Sequence, residues 1–397
     1  MKTFDVIVVG ARPAGASTAM LLARRGYHVL LLDRAELPGD CVTTNLIHSV
    51  GMAALQRWGL ADAVVASGCP PIARYVMDFG PLVIGGNPRS VDGVPAAHAP
   101  RRAVLDALLL EAATTAGAEL RTGFAVEQLL FEGGAIGGVV GRERGGSRRT
   151  ERARVVIGTD GPSSLVARQV GTTVRTDVAP QEALYYAYWS GLPVNGEFRL
   201  YQRGDRGLTT IPTNDGLTAV IVAWPAEEFE ANRRDLLGNY LAAFAAEPAL
   251  AERLAGARRE SRVMGRLQRN FYRQSFGPGW ALVGDAGYDR DAVTAQGISD
   301  AFRAAELVAA ALDESLGGRR PLLEALAEYQ AARDEETQPT FELTCQLASF
   351  EPPSAETERL FGALADDQAA VDDFMSVLAG SLPVADLMAR LADPAPA

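Results

Sequence analysis

The feature that most constrains the fold of this chain is its amino-terminal stretch, FDVIVVGARPAGASTAMLLARRGYHVLLLDR. Residues Val6 to Val9 are β-branched and end at Gly10, which is typical of a buried parallel strand. Apolar residues recur at helical spacing from Ala14 to Gly26, and the run Tyr27 to Leu32 predicts a second strand that ends at Asp33. The order of strand, turn, helix and strand indicates one βαβ unit of a parallel sheet.

The turn of this unit carries part of a G-x-G-x-x-G fingerprint. Gly10 permits the tight turn, and Gly15 lets the helix lie close to the strand. The helix opens at Pro13 and Ala14, and the amide groups of its first turn would face a pyrophosphate at the positive end of the helix dipole. Asp33 is placed to accept a hydrogen bond from an adenosine ribose hydroxyl. The sequence therefore predicts a dinucleotide site.

One position departs from the fingerprint. Arg12 stands where a second glycine normally lets the phosphates approach the backbone. We expect the guanidinium of Arg12 either to bind phosphate oxygens or to lie across the ligand. A βαβ unit that binds no nucleotide remains the alternative interpretation.

Whole-chain properties narrow the class of protein. A length of 397 residues allows two or three domains, and 48% hydrophobic residues without a low-complexity tract indicate a globular protein. No stretch is long enough to span a bilayer, and a strand begins at once instead of a signal peptide, so we expect a cytoplasmic location. Cys41, Cys69 and Cys345 are widely separated, which argues against a disulfide framework and against a metal site.

Charge excludes further classes of function. A net charge of −11 argues against nucleic-acid binding. The one dense basic stretch, from Arg142 to Arg154, predicts a solvated hairpin tip, with a contact to the phosphate of a nicotinamide cofactor as the alternative. Lys2 is the only lysine, so no mechanism that needs an interior ammonium or a lysine Schiff base applies.

The order of predicted elements gives an α/β fold with a parallel sheet and a β-meander. A discontinuous nucleotide-binding domain is predicted from residues 1–75, 100–178 and 278–335. Short aromatic and β-branched runs predict an antiparallel sheet, and with it a substrate-binding domain, in residues 76–99 and 179–277. The carboxyl-terminal segment, 336–397, is predicted to be helical, and the chain to be a monomer or a homodimer.

Two later segments distinguish between the nucleotide cofactors. In WALVGDAGYDRD, Asp285 follows Gly284 at the end of a strand, where a carboxylate can accept a hydrogen bond from a ribityl hydroxyl. In VVIGTDGPSSLVAR, Asp160 and Gly161 form a similar strand end. Together with the glycine turn, these segments resemble the para-hydroxybenzoate hydroxylase-like flavoproteins, which include group A flavin monooxygenases and geranylgeranyl-reductase-like enzymes. The resemblance covers about the first 310 residues and implies a Rossmann-like FAD-binding domain.

This resemblance assigns roles to residues. Gly10, Gly15, Asp33 and Arg34 would hold the ADP half of FAD, Arg102 would match a family arginine that contacts the cofactor, and Val126 would meet the adenine. Gly284, Asp285 and Gly297 would hold the ribityl chain and the flavin ring. Thr43 and Thr44 either donate to the flavin edge or cap the helix that follows. From the motifs and the resemblance together, the candidate cofactor-binding residues are Gly10, Arg12, Pro13, Ala14, Gly15, Asp33, Arg34, Thr44, Arg102, Val126, Asp160, Gly161, Gly284, Asp285 and Gly297.

The chain departs from the family pattern around the flavin face. Tyr288 stands in the place of a histidine, no proline follows it, and Ser299 replaces an asparagine. These changes bear on the shape of the flavin face more than on FAD binding.

The resemblance leaves several activities open. An aromatic monooxygenase would take hydride from NAD(P)H and use molecular oxygen to hydroxylate an aromatic or polyketide-like substrate through a flavin C4a-hydroperoxide. A geranylgeranyl-reductase-like enzyme would saturate double bonds, and Cys41 lies near the cysteine of that group. A flavin-binding sensor without turnover is the third hypothesis. Halogenases carry a W-x-W-x-I-P motif and an essential lysine, and the chain has neither.

For the substrate, the aromatic residues of the predicted sheet are the candidates. These are Tyr186, Tyr188, Trp189 and Tyr201. Strand alternation would direct Tyr186 and Tyr188 to one face, and Tyr185 and Trp189 to the other.

No catalytic residue follows from the sequence alone. A histidine base within the sheet or the GD segment is excluded, although His48 could approach from the loop after the ribose acid. For deprotonation of a phenol, Tyr288, Asp289, Asp291 and water remain candidates.

Overall fold

The computed structural model describes residues 3–41, 44–351, 362, 364 and 366–392. Thr43 lies outside this part, as do several residues of the predicted carboxyl-terminal segment, including Pro352 and Pro353. The helices whose bounds are described are α1 Pro13–Arg24, α2 Ser49–Arg57, α3 Ala61–Ala66, α4 Arg102–Thr115, α5 Leu165–Gln169, α6 Phe229–Asn232, α7 Leu236–Ala242, α8 Pro248–Ala255, α9 Gly297–Leu316, α10 Leu322–Leu347, α11 Gln368–Leu378 and α12 Val384–Ala392.

The first sheet is mostly parallel and contains the amino-terminal unit. Its strands are β1 Thr3–Val9, β2 Val29–Leu32, β7 Glu119–Arg121, β8 Phe124–Glu132, β9 Ala135–Glu143, β10 Arg149–Gly158, β19 Phe276–Gly277 and β20 Trp280–Leu282. The main path runs β19-β20-β10-β1-β2-β7, with β1 parallel to both β2 and β10. The β8–β9 hairpin joins antiparallel to β10 and forms the predicted meander.

The second sheet is antiparallel except where strand Glu197–Arg203 runs parallel to strand Arg74–Asp78. Its strands are β4 Arg74–Asp78, β5 Val83–Gly86, β12 Glu182–Ser190, β13 Glu197–Arg203, β14 Arg206–Pro212, β15 Thr218–Pro225, β16 Arg258–Arg259 and β17 Met264–Leu267. Smaller ladders join β11 Val174–Val178, β18 Asn270–Arg273 and β21 Tyr288–Asp289, and pair β3 Pro71–Ile72 with β6 Ala97–His98.

Alternation along β1 divides the core of the first sheet. Val6 and Val8 face a helical layer that includes α1, α4 and α9, whereas Ile7 and Val9 face the meander. Both faces of β1 are therefore buried, as expected for a central parallel strand. The predicted α/β class, with an antiparallel sheet and carboxyl-terminal helices, is confirmed.

Two predicted boundaries were wrong, for local reasons. The helix predicted near Asn45 begins at Ser49, because Asn45 has a φ of 61° and Ile47 forms a bridge with His98. The strand predicted from Tyr27 begins at Val29.

The basic stretch between β9 and β10 forms an exposed turn. Residues 144–148 connect the two strands and are exposed, as predicted for a solvated hairpin tip. Arg142 and Arg148 both form ion pairs with Glu127, so part of this positive charge is balanced within the hairpin.

The second sheet also separates two sets of side chains. Tyr186 and Tyr188 on β12 pack on one face, and Tyr185 and Trp189 pack on the other, as alternation predicted. The Trp189 face is covered by α7 and α8. There, the hydroxyl of Tyr240 accepts a bond from Trp189 Nε1 at 3.0 Å and donates to the carbonyl of Val220 at 2.9 Å.

Replacement of Tyr240 by phenylalanine tests this packing. We expect Tyr240→Phe to lower the free energy of unfolding by about 1–3 kcal/mol, because the buried Trp189 N–H loses its partner. Urea denaturation measures the change. The matched control is Tyr27→Phe, which removes a half-exposed hydroxyl bonded to Asp313 and should cost under about 1 kcal/mol. Equal losses in the two variants would contradict the assigned role of Tyr240.

Candidate functional site

A cavity of about 670 Å³ lies between the strand ends of the first sheet and one face of the second. Leu184, Tyr186 and Ile221 contribute from the second sheet. Of the candidate cofactor residues, the cavity is lined by Gly10, Arg12, Pro13, Ala14, Asp33, Arg34, Thr44, Arg102, Val126, Asp160, Gly161, Gly284, Asp285 and Gly297. The fold thus brings residues of three separated motifs into one space.

Gly15 lies just behind this wall, where the helix meets the strand. A Cβ added to Gly15 would lie 1.8 Å from the carbonyl oxygen of Gly10. Gly10 itself has a φ of +105°, and its own added Cβ would lie 2.5 Å from the carbonyl oxygen of Thr159. The Thr159 hydroxyl donates to the carbonyls of Val9 and Gly10, at 2.9 and 2.6 Å. Both glycines are therefore required for close backbone approach.

Asp33 is held by backbone amides at the end of β2. Its Oδ2 accepts from the amide of Ala11 at 2.7 Å, and its Oδ1 accepts from the amide of Ala35 at 2.8 Å. A carboxylate has about four lone-pair sites, so each oxygen keeps one for a ligand hydroxyl. The acid and the glycine turn thus form one rigid unit.

Arg12 shares a buried acid with Arg102. Arg12 Nη1 donates to Asp106 Oδ2 at 2.7 Å and to the carbonyl of Gly39 at 3.2 Å. Arg102 donates through Nε and Nη2 to Asp106 Oδ1, at 3.1 and 3.0 Å. Burial raises the pKa of Asp106, and the two guanidinium groups oppose that shift. Sequence reasoning missed Asp106, although its position four residues after Arg102 on a helix was a usable signal.

The two later strand-end acids differ in their surroundings. Asp160 accepts from the hydroxyl of Ser164 and, at 2.6 Å, from the amide of Leu165, so its carboxylate is turned toward the start of α5. Burial raises the pKa of Asp160. Asp285 is more exposed and lies 3.6 Å from Arg266 Nη2. Its neighbour Gly284 approaches α1 so closely that an added Cβ would lie 2.9 Å from the Cβ of Ala14.

Tyr288, in the place of the family's histidine, is a packed residue. Its ring stacks on Tyr272 with centroids 4.6 Å apart, and its hydroxyl lies 3.5 Å from Asp300 Oδ2. Burial raises its pKa well above the ordinary value. Arg290 then donates to Gln296 at 2.6 Å and to Asp300 at 2.7 Å, which fixes the loop before α9.

His48 is hydrogen-bonded to the loop before α9 and does not line the cavity. Its Nε2 donates to the carbonyl of Thr294 at 2.9 Å, so its Nδ1 accepts from the hydroxyl of Tyr75 at 2.6 Å. Burial lowers the pKa of His48 to about 4. The imidazole is therefore neutral and already has two partners.

Of the four candidate substrate residues, one reaches the cavity. Tyr186 lines it and donates its hydroxyl to the carbonyl of Cys41. Tyr188 lies beside it and accepts from Asn45 at 2.7 Å. Trp189 and Tyr201 belong to the core on the opposite face of the sheet, because strand alternation and the cover of α7 and α8 place them there. The cavity wall also includes Arg266, which no pattern in the sequence indicated.

The fold and the convergent motifs define a dinucleotide-binding flavoprotein. The chain belongs to the FAD binding domain family, whose model matches residues 3–342. It is an FAD-dependent enzyme of the oxidoreductase class that this family contains.

Sequence relatives span much of the chain. A digeranylgeranylglycerophospholipid reductase of Methanocella arvoryzae is 27% identical over 334 residues, which cover 83% of this chain and 82% of that protein. A tryptophan 2-halogenase of Chondromyces crocatus is 24% identical over 335 residues, covering 82% of this chain and 64% of that protein.

Solved structures share the fold. The myxobacterial chondrochloren halogenase CndH superposes with a TM-score of 0.82 at 24% identity, covering 94% of this chain and 91% of its own. PqsL, a probable FAD-dependent monooxygenase from Pseudomonas aeruginosa, superposes with a TM-score of 0.77 at 23% identity, covering 92% of this chain and 100% of its own. Among the described residues, no helix is long and apolar enough to cross a membrane.

The close approach at Gly15 predicts a strong effect of one added methyl group. Gly15→Ala should weaken FAD binding at least about tenfold, because the helix must move away from the turn that faces the pyrophosphate. Flavin fluorescence titration measures the dissociation constant. Gly256→Ala is the control, since its added Cβ meets no atom closer than 3.8 Å. FAD affinity unchanged in Gly15→Ala would contradict the geometry.

The buried His48 predicts a pH dependence of stability. The unfolded chain binds a proton on His48 below pH 6.5, and the folded chain does so only below about pH 4. The contribution of neutral His48 to the free energy of unfolding is therefore full above pH 6.5 and is lost as the pH falls toward 4. The total loss is about 3 kcal/mol. Urea denaturation of wild type and His48→Gln from pH 4 to 8 should show a steeper acid slope in wild type; parallel curves would contradict it.

Proposed function

We propose that the chain is an NAD(P)H-dependent FAD monooxygenase that hydroxylates an aromatic or polyketide-like small molecule with molecular oxygen. The observation that carries the proposal is the cavity itself. One wall is formed by the three motif ends, and the facing wall presents Leu184, Tyr186 and Ile221 of the second sheet. A flat, largely apolar molecule fits between such walls.

The residues present fit FAD as the cofactor. The glycine turn leaves backbone where a Cβ could not be placed, and Asp33 keeps lone pairs for a ribose at one end of the cavity. Val126 lines that end, and Gly284, Asp285 and Gly297 line the other. When bound, FAD supplies hydride acceptance and oxygen activation.

The protein's own groups would bind and orient. Arg12 and Arg102, fixed by Asp106, would hold phosphate oxygens through charge-assisted hydrogen bonds. We assign FAD to residues 1–75, 100–178 and 278–335, and the substrate to residues 76–99 and 179–277. The first sheet draws its strands mainly from the former set and the second sheet from the latter. From the segment predicted to be helical, 336–397, α11 helps to cover the cavity, because the cavity residue Gln296 in the loop before α9 donates to the carbonyl of Leu378 on α11 at 2.7 Å.

Reduction of an isoprenoid double bond is the second candidate function. Three observations favour it. The reductase of Methanocella arvoryzae aligns over most of both chains, and Cys41 lines the cavity beside Tyr186. The aliphatic part of the facing wall also suits a prenyl chain.

Reconstitution with FAD followed by stopped-flow mixing with NADPH tests the proposal. We expect flavin reduction to be accelerated at least about tenfold by an aromatic substrate, with one oxygen atom incorporated into the product. Saturation of an isoprenoid alkene without oxygen would select the reductase instead. If NADPH does not reduce the FAD-loaded protein, whichever aromatic additive is tested, a flavin-binding sensor would be favoured. A protein that takes up no FAD would refute all three functions.

A further inference from the structure

Three carboxyl groups lie close together where the loop after β21 meets the start of β12. Asp289 and Asp291 line the cavity, and Glu182 lies behind Asp291. Both oxygens of Asp289 have partners, since Oδ1 accepts from Gln268 and Oδ2 accepts from Arg266 at 3.1 Å. Asp289 is therefore a paired structural acid, which leaves Asp291 and Glu182.

Each of these two acids accepts a hydrogen bond from the backbone amide of a residue next to the other acid. Asp291 Oδ2 accepts from Asn270 Nδ2 at 2.5 Å and from the amide of Gln181 at 3.4 Å. Glu182 Oε1 accepts in turn from the amide of Ala292 at 3.0 Å. The carboxyl groups thus lie side by side, fixed by amides from two segments distant in the sequence.

One oxygen of this pair has no hydrogen-bond partner in the part of the chain that the structure describes. Asp291 is 1% exposed, and its Oδ1 is buried without a hydrogen-bond partner among the described residues. A buried carboxylate oxygen left unsatisfied is costly, so such an atom needs an explanation. Asp291 lines the cavity, and a hydroxyl donor on a bound molecule that reached Oδ1 would satisfy this oxygen.

The charges around the pair decide its protonation. Asp289 and Cys345 are its titratable neighbours, and the nearest cations are occupied, Arg266 by Asp289 and Arg290 by Asp300. Within the described residues no cation pairs with Glu182 or Asp291, so the two cannot both be charged at low cost. Burial, with the charge of Asp291 added, raises the pKa of Glu182 to about 8, and burial raises the pKa of Asp291 to about 6. Of the two acids, Glu182 therefore holds a proton more readily, and Asp291 more readily carries the charge.

We propose that Asp291 is the base of the reaction, and that its free Oδ1 accepts the hydrogen bond and then the proton of an acidic hydroxyl on the substrate, a phenol or an enol. The substrate O–H bond breaks, an O–H bond forms on Asp291, and the electron pair stays on the substrate oxygen, which makes the ring more electron-rich. Water takes the proton when the product leaves. This inference rests on the proposed function.

Other candidate bases are less suitable. Tyr288 is fully packed against Tyr272, and its hydroxyl faces Asp300. His48 has partners on both ring nitrogens and lies outside the cavity. Among these groups, Asp291 alone combines a carboxyl group that ionises more readily than Glu182 with an oxygen that has no partner in the described part of the chain.

Binding of phenol and of anisole, which lacks the hydroxyl proton, tests the proposal on FAD-loaded protein. Flavin difference absorbance gives both dissociation constants. At pH 7.5 wild type should prefer phenol at least about tenfold, because the hydroxyl donates to an ionised carboxylate. The preference should shrink at pH 5, where Asp291 becomes protonated. This comparison needs no variant.

Substitutions then locate the effect. Asp291→Asn should lose the preference at both pH values, whereas Glu182→Gln should keep it at pH 7.5, because glutamine resembles the protonated acid. Asp177→Asn, an exposed acid near Arg269, is the control and should behave as wild type. Equal binding of the two probes by wild type, binding of neither, or a preference that survives Asp291→Asn would overturn the proposal. Failure to take up FAD would instead refute the proposed function.

Discussion

The rest of the structure depends on one close backbone contact, that of α1 against the turn after β1. Gly15 lies over the carbonyl of Gly10, and Thr159 at the end of β10 closes the same turn through two hydrogen bonds. Gly284 then packs against Ala14 at the start of the helix. The turn after β1, the end of β10 and the turn at Gly284 therefore meet at this contact, and a shift of α1 would displace all three.

Arginine side chains supply the buried positive charge around the cavity. Asp106 holds two arginines, Asp300 and Gln296 hold Arg290, and Asp289 holds Arg266. A planar guanidinium reaches two acceptors at once and keeps its charge when buried, which a lysine does less well. These pairs orient side chains in the cavity wall while leaving few charges unbalanced. The pair of Glu182 and Asp291 stands out because no described residue supplies it with such a cation.

Much of the first sheet could be predicted because its determinants are local. The β-branched run, the glycine turn and the acid at Asp33 lie within one βαβ unit, and their roles follow from spacing alone. Alternation also gave the correct division of Tyr186 from Trp189, but which face meets the cavity depends on the cover supplied by α7 and α8. Glu182 and Asp291 could not be paired from the sequence, because 110 positions separate Glu182 from the amide it accepts from.

In the GD segment, a tyrosine in place of a histidine at position 288 changes which groups can take part in proton transfer. A tyrosine at 288 is absorbed into the aromatic packing with Tyr272 and Phe341, so it offers no group that titrates near neutral pH. The same loop brings Asp291 to the cavity three residues later. If the proposed function holds, a base on this loop would be Asp291 and not residue 288, since one carboxylate oxygen of Asp291 has no partner among the described residues.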